Sequence, residues 1–329
     1  MNNLISVVGC GHWGKNLIRN FFNLNSLFSI CDSNTELAKR YADQYNVREQ
    51  TFTDILNDSN IQGVVLAVPA KMHASMAMKV MNSGKHVFVE KPLAMNESEA
   101  EMMINASKDN NVQLMVGHLM QYHPIFTKIK QLVDAGEIGE LSYIYSNRLS
   151  FGKVRSEEDV IWSFAPHDIS MILSLVDHEP KFVRTNSFSI LQKNISDNAT
   201  IQIEFASGLR SNISVSWVNP YKEQKLVVTG KDAMLVFDDT KPWNEKLGLY
   251  SYKVITTKHS INLEKSNVNY IKVKEEEPLK NECQHFIDVV KKNIKPLTDK
   301  SEGLNVVRVL TAASQSQREN KVVRIKNNE

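Results

Sequence analysis

The chain has 329 residues, which is enough for two domains of ordinary size. It carries 39 basic and 37 acidic residues, so its formal net charge is +2, and its basic residues form no block. This charge distribution gives no reason to expect nucleic acid or a membrane surface as a binding partner. No run approaches the roughly 20 apolar residues of a transmembrane helix. Three cysteines at no metal-ligand spacing predict a reducing compartment and no metal. With no signal-peptide pattern, we expect a cytoplasmic protein.

Short apolar runs alternate with helical patterns over residues 1–120. Strands that alternate with helices are typical of a parallel, doubly wound sheet, and the sequence therefore predicts an α/β Rossmann domain here. The predicted strands are Leu4–Val8, Leu27–Cys31, Gly63–Val68, His86–Val89 and Val112–Val116.

A glycine-rich turn follows the first strand, with Gly9, Gly11 and Gly14 in a G-x-G-x-x-G pattern around His12 and Trp13. The first glycine permits a tight turn, the second lets the backbone approach a pyrophosphate, and the third lets helix and strand pack closely. The helix that follows offers free N–H groups to phosphates. The pattern predicts a dinucleotide site that includes these five residues, with a plain βα turn as the alternative.

Asp32 ends the second strand, where the ribose-binding acid of a dinucleotide fold belongs. Its carboxylate would accept hydrogen bonds from both ribose hydroxyls and repel a 2′-phosphate, which favours NAD over NADP. The alternative is a helix N-cap, a position at which aspartate is common.

Val68, Pro69 and His73 follow the third strand. Ligands of doubly wound sheets bind at the carboxyl ends of the strands, so these residues are predicted to line the nicotinamide half of the cofactor site. His73 could equally be an ordinary polar group in the first turn of a helix.

Glu90, Lys91 and Pro92 follow the fourth strand. A lysine at this position can exchange a proton with a substrate hydroxyl while hydride moves to or from the carbinol carbon. Glu90 is predicted to orient Lys91 or to contact the cofactor ribose, and Pro92 to fix the backbone. A surface turn is the alternative, since all three residue types are common on surfaces.

The pattern changes after residue 120, and residues 121–329 are predicted to form a second, α+β domain. Strands with alternating apolar residues follow one another without helices between them, which indicates an antiparallel sheet with one face buried and one exposed. Ser207-Gly208 is predicted as a hairpin turn. Before these strands, Pro166–Leu175 is predicted as a helix with Pro166 in its first turn. The last two predicted helices include one with Cys283, Phe286, Ile287 and Val290 on a single stripe.

The glycine pattern, the Val-Pro-x-x-x-His segment and the Gly-Lys-His-Val-x-x-Glu-Lys-Pro segment, in this order, resemble the Gfo/Idh/MocA oxidoreductases. The stretch Glu282–Phe286 also fits, and the resemblance extends over essentially the whole chain. It implies a Rossmann domain followed, over residues 121–329, by a substrate-binding and oligomerisation domain. This second domain has an open, mostly antiparallel sheet through which members form dimers or tetramers. It also implies sugars, inositols or nucleotide sugars as substrates and NAD as cofactor.

The same resemblance points to a second catalytic element on the first helix of the C-terminal domain. His167 matches the family histidine, but Ser163 stands where many members have an aspartate. His167 is therefore predicted to be the partner of Lys91, as proton carrier or substrate hydrogen-bond donor. A buried core histidine is the alternative. Asp168 is predicted to cap the helix.

Arg148, Lys153 and Arg155 form a basic cluster close in sequence to that helix. A diphosphate-bearing substrate needs such groups, although a solvated loop is equally consistent with them. The segments around them resemble the branch that acts on nucleotide-linked amino sugars such as UDP-N-acetylglucosamine. The resemblance thus implies hydride transfer at a sugar carbinol, at C3 of a UDP-linked N-acetylated sugar. The alternatives are a free-sugar or inositol dehydrogenase and a non-catalytic NAD-binding sensor.

Overall fold

The structure is a computed structural model that describes residues 4–152, 154–257 and 259–326. The chain packs into two compact units. The first unit runs to Tyr122 and takes in Glu276–Val307, and the second consists of His123–Glu275 and the chain from Arg308 onward. The division therefore differs from the contiguous one predicted at residue 120, because a late segment of the chain returns to the first unit.

The elements are named here in chain order. The strands are β1 (Ile5–Val8), β2 (Leu27–Cys31), β3 (Arg48–Glu49), β4 (Gly63–Leu66), β5 (His86–Glu90), β6 (Leu114–Gly117), β7 (Leu141–Phe151), β8 (Pro180–Phe188), β9 (Asn198–Phe205), β10 (Arg210–Ser216), β11 (Val218–Gly230), β12 (Ala233–Asp238), β13 (Leu247–Thr256), β14 (Ile261–Lys265), β15 (Asn269–Tyr270) and β16 (Val323–Arg324). The helices are α1 (Gly14–Asn23), α2 (Thr35–Tyr45), α3 (Phe52–Asn57), α4 (His73–Asn82), α5 (Glu97–Asp109), α6 (Pro124–Asp134), α7 (Val160–Leu175), α8 (Pro278–Lys292) and α9 (Lys300–Glu319). Within the described ranges, no helix is both long and apolar enough to cross a membrane.

The first unit contains a parallel six-stranded sheet in the order β3-β2-β1-β4-β5-β6. The order reverses between β1 and β4, which is the switch point at which doubly wound sheets bind ligands. All residues of β1, β4 and β6 are buried, as expected for strands covered on both faces. The predicted Rossmann architecture is confirmed.

Helix α8 covers one face of this first sheet, although it lies more than 150 residues beyond β6 in the chain. Phe286 is fully buried, and its ring meets the rings of Phe88 and Phe21 edge-on at centroid distances of 5.6 and 6.3 Å. Burying one such side chain contributes about 2–3 kcal/mol. The apolar stripe of α8 therefore places residues 276–307 in the first unit.

The second unit contains a ten-stranded sheet that is antiparallel except where β7 pairs with β10. Its order is β14-β13-β12-β11-β7-β10-β9-β8-β16, with β15 beside β13. The predicted turn at Ser207-Gly208 joins β9 to β10, and Gly208 has a φ of 87° there. The predicted open, mostly antiparallel sheet is confirmed.

Helix α7 packs against this second sheet and begins earlier than predicted. Asp159 is its N-cap and accepts a hydrogen bond from the backbone N–H of Trp162 at 3.1 Å. Pro166 therefore lies inside the helix, where it has no N–H to donate to the carbonyl of Trp162. The prediction that Pro166 opens the helix is wrong, because the aspartate cap fixes the start of α7 six residues before the predicted position.

Candidate active site

The glycine turn joins β1 to α1 in the first unit. Gly9 has a φ of 101°, a conformation that glycine adopts without strain. A Cβ on Gly14 would lie 1.9 Å from the carbonyl oxygen of Gly9, so the turn and the helix can close only around a residue without a side chain. A Cβ on Gly11 would meet nothing within 4 Å. Two of the glycines are thus required by the packing of the turn, while Gly11 faces open space beside the exposed His12 and Trp13.

Asp32 follows β2 directly and supports the glycine turn. Its Oδ2 accepts a hydrogen bond from the backbone N–H of Cys10 at 2.6 Å, and its Oδ1 accepts one from the N–H of Asn34 at 2.8 Å. The N-cap of α2 is Asn34, whose side chain accepts from the N–H of Leu37. The capping alternative for Asp32 is therefore wrong, and its carboxylate stands next to the glycine turn.

His73 connects two loops that leave neighbouring strands. It is buried at the start of α4, and its Nδ1 lies 2.7 Å from the carbonyl oxygen of Pro92. Its Nε2 lies 2.9 Å from the carbonyl oxygen of Val68. The imidazole thus lies between the carbonyl oxygens of the Val68-Pro69 loop and of the loop that carries Lys91. This geometry gives His73 a structural part in the site.

Glu90 is the last residue of β5, and both of its carboxylate oxygens have donors. The indole Nε1 of Trp13 donates to Oε1, and the backbone N–H of Lys91 donates to Oε2 at 3.2 Å. The structure therefore brings together the glycine turn, the Glu90-Lys91 segment and, through His73, the Val68-Pro69 loop. These are the cofactor-site segments that the sequence predicts in this unit.

A second buried acid lies near Glu90. Burial raises the pKa of Glu90 to about 7, although the Trp13 hydrogen bond and the charges of Lys91 and His118 lower it. Burial, with the charge of Glu90, raises the pKa of Glu282 on α8 well above its ordinary value. No role for Glu282 is predicted from the sequence. The available signal was that it stands four residues before Phe286, on the buried stripe of α8.

His118 follows β6 in the first unit and is almost fully buried. Its Nδ1 lies 2.6 Å from Oε2 of Glu302 in α9. The two residues are 184 positions apart, and no sequence pattern relates them, so this pairing was not predicted. The imidazole adds a polar group to the buried surroundings of Glu90.

The predicted residues of the second unit lie on α7 and β7. His167 is partly buried on α7. The next residue, Asp168, is fully buried and accepts two hydrogen bonds from the guanidinium of Arg148 and one from Ser146 Oγ at 2.5 Å. The prediction that Asp168 caps the helix is wrong, since it lies in the middle of α7 and binds β7.

The basic cluster is less uniform than predicted. Arg148 uses two of its five N–H donors on Asp168, and its side chain is only 13% exposed. Arg155 is 47% exposed and forms an ion pair with Glu158 at 3.0 Å. Lys153 lies outside the described residues. Of the predicted diphosphate ligands, Arg155 is the one that the structure shows at the surface.

The described residues fit a dinucleotide better than a metal. No group of three histidine, cysteine, aspartate or glutamate residues in the described ranges could hold a metal ion. The open space at Gly11, beside the carboxylate of Asp32, is what a bound pyrophosphate and its ribose require.

Two family models match most of the chain. Residues 4–118 match the oxidoreductase family with an NAD-binding Rossmann fold, and residues 126–236 match the GFO/IDH/MocA C-terminal domain.

Individual relatives are more distant. The chain is 25% identical to the uncharacterized oxidoreductase YrbE of Bacillus subtilis over 325 residues, which cover 94% of this chain and 93% of YrbE. It is 28% identical over 213 residues to a UDP-N-acetylglucosamine 3-dehydrogenase of Acidithiobacillus ferrooxidans, covering 64% of this chain and 66% of that enzyme. It is 24% identical over 220 residues to an inositol 2-dehydrogenase of Salmonella typhimurium, covering 64% and 66%.

Solved structures share the fold. That of UDP-N-acetylglucosamine 3-dehydrogenase GnnA from A. ferrooxidans has a TM-score of 0.84 at 23% identity, covering 96% of this chain and 97% of that one. A putative myo-inositol dehydrogenase from Sinorhizobium meliloti also has a TM-score of 0.84, at 21% identity, covering 98% and 100%.

Proposed function

The chain belongs to the GFO/IDH/MocA family of NAD-dependent oxidoreductases, and from this membership we propose that it acts on a secondary alcohol of a sugar. The observation that carries the proposal is the contact between Trp13 of the glycine turn and Glu90, which immediately precedes Lys91. This contact ties a lysine suited to proton transfer to the turn that binds a dinucleotide.

The cofactor would be held by the turn Gly9–Gly14 and by Asp32. When bound, NAD supplies the acceptor for the hydride of the alcohol, or the donor in the reverse direction. The negative charge of Asp32, fixed by the N–H groups of Cys10 and Asn34, disfavours a 2′-phosphate. We therefore propose a preference for NAD over NADP.

Lys91 is the proposed general base in oxidation and the general acid in reduction. Its amine would take the proton of the reacting hydroxyl or return it to the ketone. The Glu90 carboxylate fixes the backbone N–H of Lys91, and the His73 imidazole fixes the carbonyl of Pro92. These two bonds hold the loop on both sides of the lysine. His167 is the proposed second proton carrier or hydrogen-bond donor.

The proposed substrate is a nucleotide-linked N-acetylated sugar, oxidised at C3. Support comes from the segments around Arg148 and Arg155 and from the similarity to a UDP-N-acetylglucosamine 3-dehydrogenase. A free-sugar or inositol dehydrogenase is the second candidate, because an inositol 2-dehydrogenase matches over the same share of the chain. The two candidates differ in the charge of the substrate. A nucleotide sugar carries a diphosphate that needs a cationic side chain in the site, whereas a free sugar or an inositol does not.

The test is an assay of the purified protein with NAD and either UDP-N-acetylglucosamine or myo-inositol, following the near-ultraviolet absorbance of reduced cofactor. We expect turnover with the nucleotide sugar. Arg155→Gln should raise the KM for the nucleotide sugar about tenfold, the effect of losing one charged hydrogen bond to a phosphate. Arg210→Gln is the matched control, since Arg210 is also an exposed arginine paired with a glutamate.

Each outcome of that assay selects one reading. Turnover of inositol with no turnover of the nucleotide sugar would contradict the proposed nucleotide-sugar substrate and support the inositol or free-sugar dehydrogenase. An unchanged KM for the nucleotide sugar in Arg155→Gln would remove this residue from the substrate site. Firm binding of NAD without turnover of any nucleotide sugar, inositol or free sugar would favour the non-catalytic sensor.

We also propose that the protein assembles through the sheet of the second unit. Phe151 of β7 is 81% exposed, and Ile261 and Leu263 of β14 are each 71% exposed. Large apolar side chains this exposed are typical of a surface that a partner covers. Leu263→Lys should shift the mass measured by sedimentation toward that of one chain, while the exposed-charge control Lys253→Glu on β13 should not.

A further inference from the structure

Trp13 belongs to the glycine turn, where the sequence predicts contact with the cofactor. It lies immediately before α1, and its side chain is 37% exposed. Its indole N–H donates to Oε1 of Glu90, a residue 77 positions further along the chain. An indole N–H can only donate a hydrogen bond, so this contact needs an acceptor on the glutamate.

The other oxygen of Glu90 connects to the proposed proton-transfer residue. Oε2 accepts the backbone N–H of Lys91 at 3.2 Å. The carboxylate fits because Gly117 stands opposite Glu90 in β6, where a Cβ would lie 3.1 Å from both Cδ and Oε2. One carboxylate thus connects the glycine turn with the backbone of Lys91.

The state of this connection depends on whether Glu90 is ionised. The carboxylate accepts both hydrogen bonds with its negative charge, whereas in the carboxylic acid one oxygen becomes a neutral hydroxyl that accepts from its N–H donor only weakly. The titratable groups around it in the described residues are Lys91 directly after β5, His118 after β6, and Glu282 and Cys283 on α8. Glu282 is buried, and both its burial and the charge of Glu90 raise the pKa of Glu282.

We infer that Trp13 is a positioning residue for Lys91: its indole N–H, acting through Glu90, holds the backbone of Lys91 in its working place. The inference rests on the proposed function, in which Lys91 moves the substrate proton. Because the Trp13 hydrogen bond lowers the pKa of Glu90, and burial leaves that pKa at about 7, the positioning is complete above neutral pH and fails as the solution becomes acidic.

The first experiment needs neither cofactor nor substrate. The fluorescence of the free protein is titrated with pH in unmodified protein and in Trp13→Phe, and the difference isolates the emission of Trp13. We expect a transition near pH 7 from the ionisation of Glu90. The same difference measured in the Glu90→Gln background should show none, since the amide does not titrate. A transition that persists in Glu90→Gln overturns the inference.

The second experiment measures kcat and KM against pH in Trp13→Phe. The ring remains but the donor is lost, so we expect kcat to fall about tenfold near neutral pH and its acid limb to move to higher pH, with a smaller change in KM. Trp243→Phe is the matched control, because it also removes an indole N–H, one that donates to the carbonyl of Val273 in the second unit.

The outcomes separate this inference from the proposed function. A pH profile of Trp13→Phe that matches that of Trp243→Phe overturns the positioning role while Lys91 chemistry stands. Absence of turnover by the unmodified protein with every substrate overturns the proposed function, and the positioning role with it, even if the fluorescence transition is present.

Discussion

Asp168 in α7 holds the guanidinium of Arg148 in β7 through two hydrogen bonds, from Nε to Oδ2 at 2.7 Å and from Nη2 to Oδ1 at 3.3 Å. The carboxylate is fully buried, so it has no access to water as an alternative partner. The pair therefore fixes the helix that carries His167 to the sheet of the second unit.

Breaking this pair should cost stability. Asp168→Asn keeps the shape but removes the charge, and Arg148→Met removes the donors. Each leaves a buried polar group without its partner, and we expect a loss of about 3–5 kcal/mol in the free energy of unfolding, measured with urea. Glu204→Gln breaks the exposed ion pair with Arg210 in the same unit and should change the free energy of unfolding by less than about 1 kcal/mol. Equal unfolding midpoints for Asp168→Asn and Glu204→Gln would contradict the argument.

An added methyl group should have different effects at two glycines of the turn. A Cβ on Gly14 collides with the carbonyl of Gly9, so Gly14→Ala should lower the melting temperature. A Cβ on Gly11 meets no protein atom, so Gly11→Ala should melt like the unmodified protein but bind NAD about tenfold or more weakly, because the backbone can no longer approach the pyrophosphate. Calorimetry measures both quantities. Normal NAD binding by Gly11→Ala would mean that the cofactor does not lie in the open space at this residue.

Lys91 should be needed for turnover and not for folding. Lys91→Met removes the amine and keeps an apolar stem of similar length, and we expect kcat to fall about 10²- to 10⁴-fold, the usual contribution of a general acid or base. The melting temperature should stay near that of the unmodified protein. Lys108→Met, at an exposed position of α5, is the control for the loss of one lysine. Undiminished turnover in Lys91→Met would end the catalytic assignment.

The three cysteines should be unreactive while the protein is folded. Burial raises the pKa of Cys10 to about 12 and that of Cys31 to about 11, and it raises the pKa of Cys283 well above its ordinary value. The reactive thiolate forms only as the pH rises toward these values, so at about pH 8 it is a small fraction of each thiol. A colorimetric thiol reagent should count none of the three thiols in the native protein and all three in guanidinium. Rapid reaction of one native thiol would show that its site opens.

Local pattern predicted most elements of the first unit because its strands are continuous apolar runs. It missed β3, since Arg48 and Glu49 are exposed at the edge of the sheet and leave no apolar signal. It misplaced the start of α7, because proline is favoured in a first turn, whereas the helix begins after the cap at Asp159 and Pro166 lies inside it.

The contacts that assemble the site join residues far apart in the chain. Trp13 and Glu90 are 77 positions apart, and neither a helical nor a strand period relates them. The apolar stripe on α8 predicted a helix with one buried face, but the stripe does not identify the surface against which that face packs. The glycine turn was located from sequence because its function is concentrated in six consecutive residues.

The return of α8 to the first sheet sets an order for synthesis on the ribosome. A nascent chain that has emerged as far as Tyr122 contains every strand of that sheet but lacks Phe286, so Phe21 and Phe88 are still without the ring that covers them. The first unit is therefore begun first but cannot be completed until almost 300 residues have been made. A gene fragment cut after residue 122 encodes an unfinished core that presents apolar surface to chaperones, whereas a fragment that keeps residues 276–307 on a linker supplies its missing face.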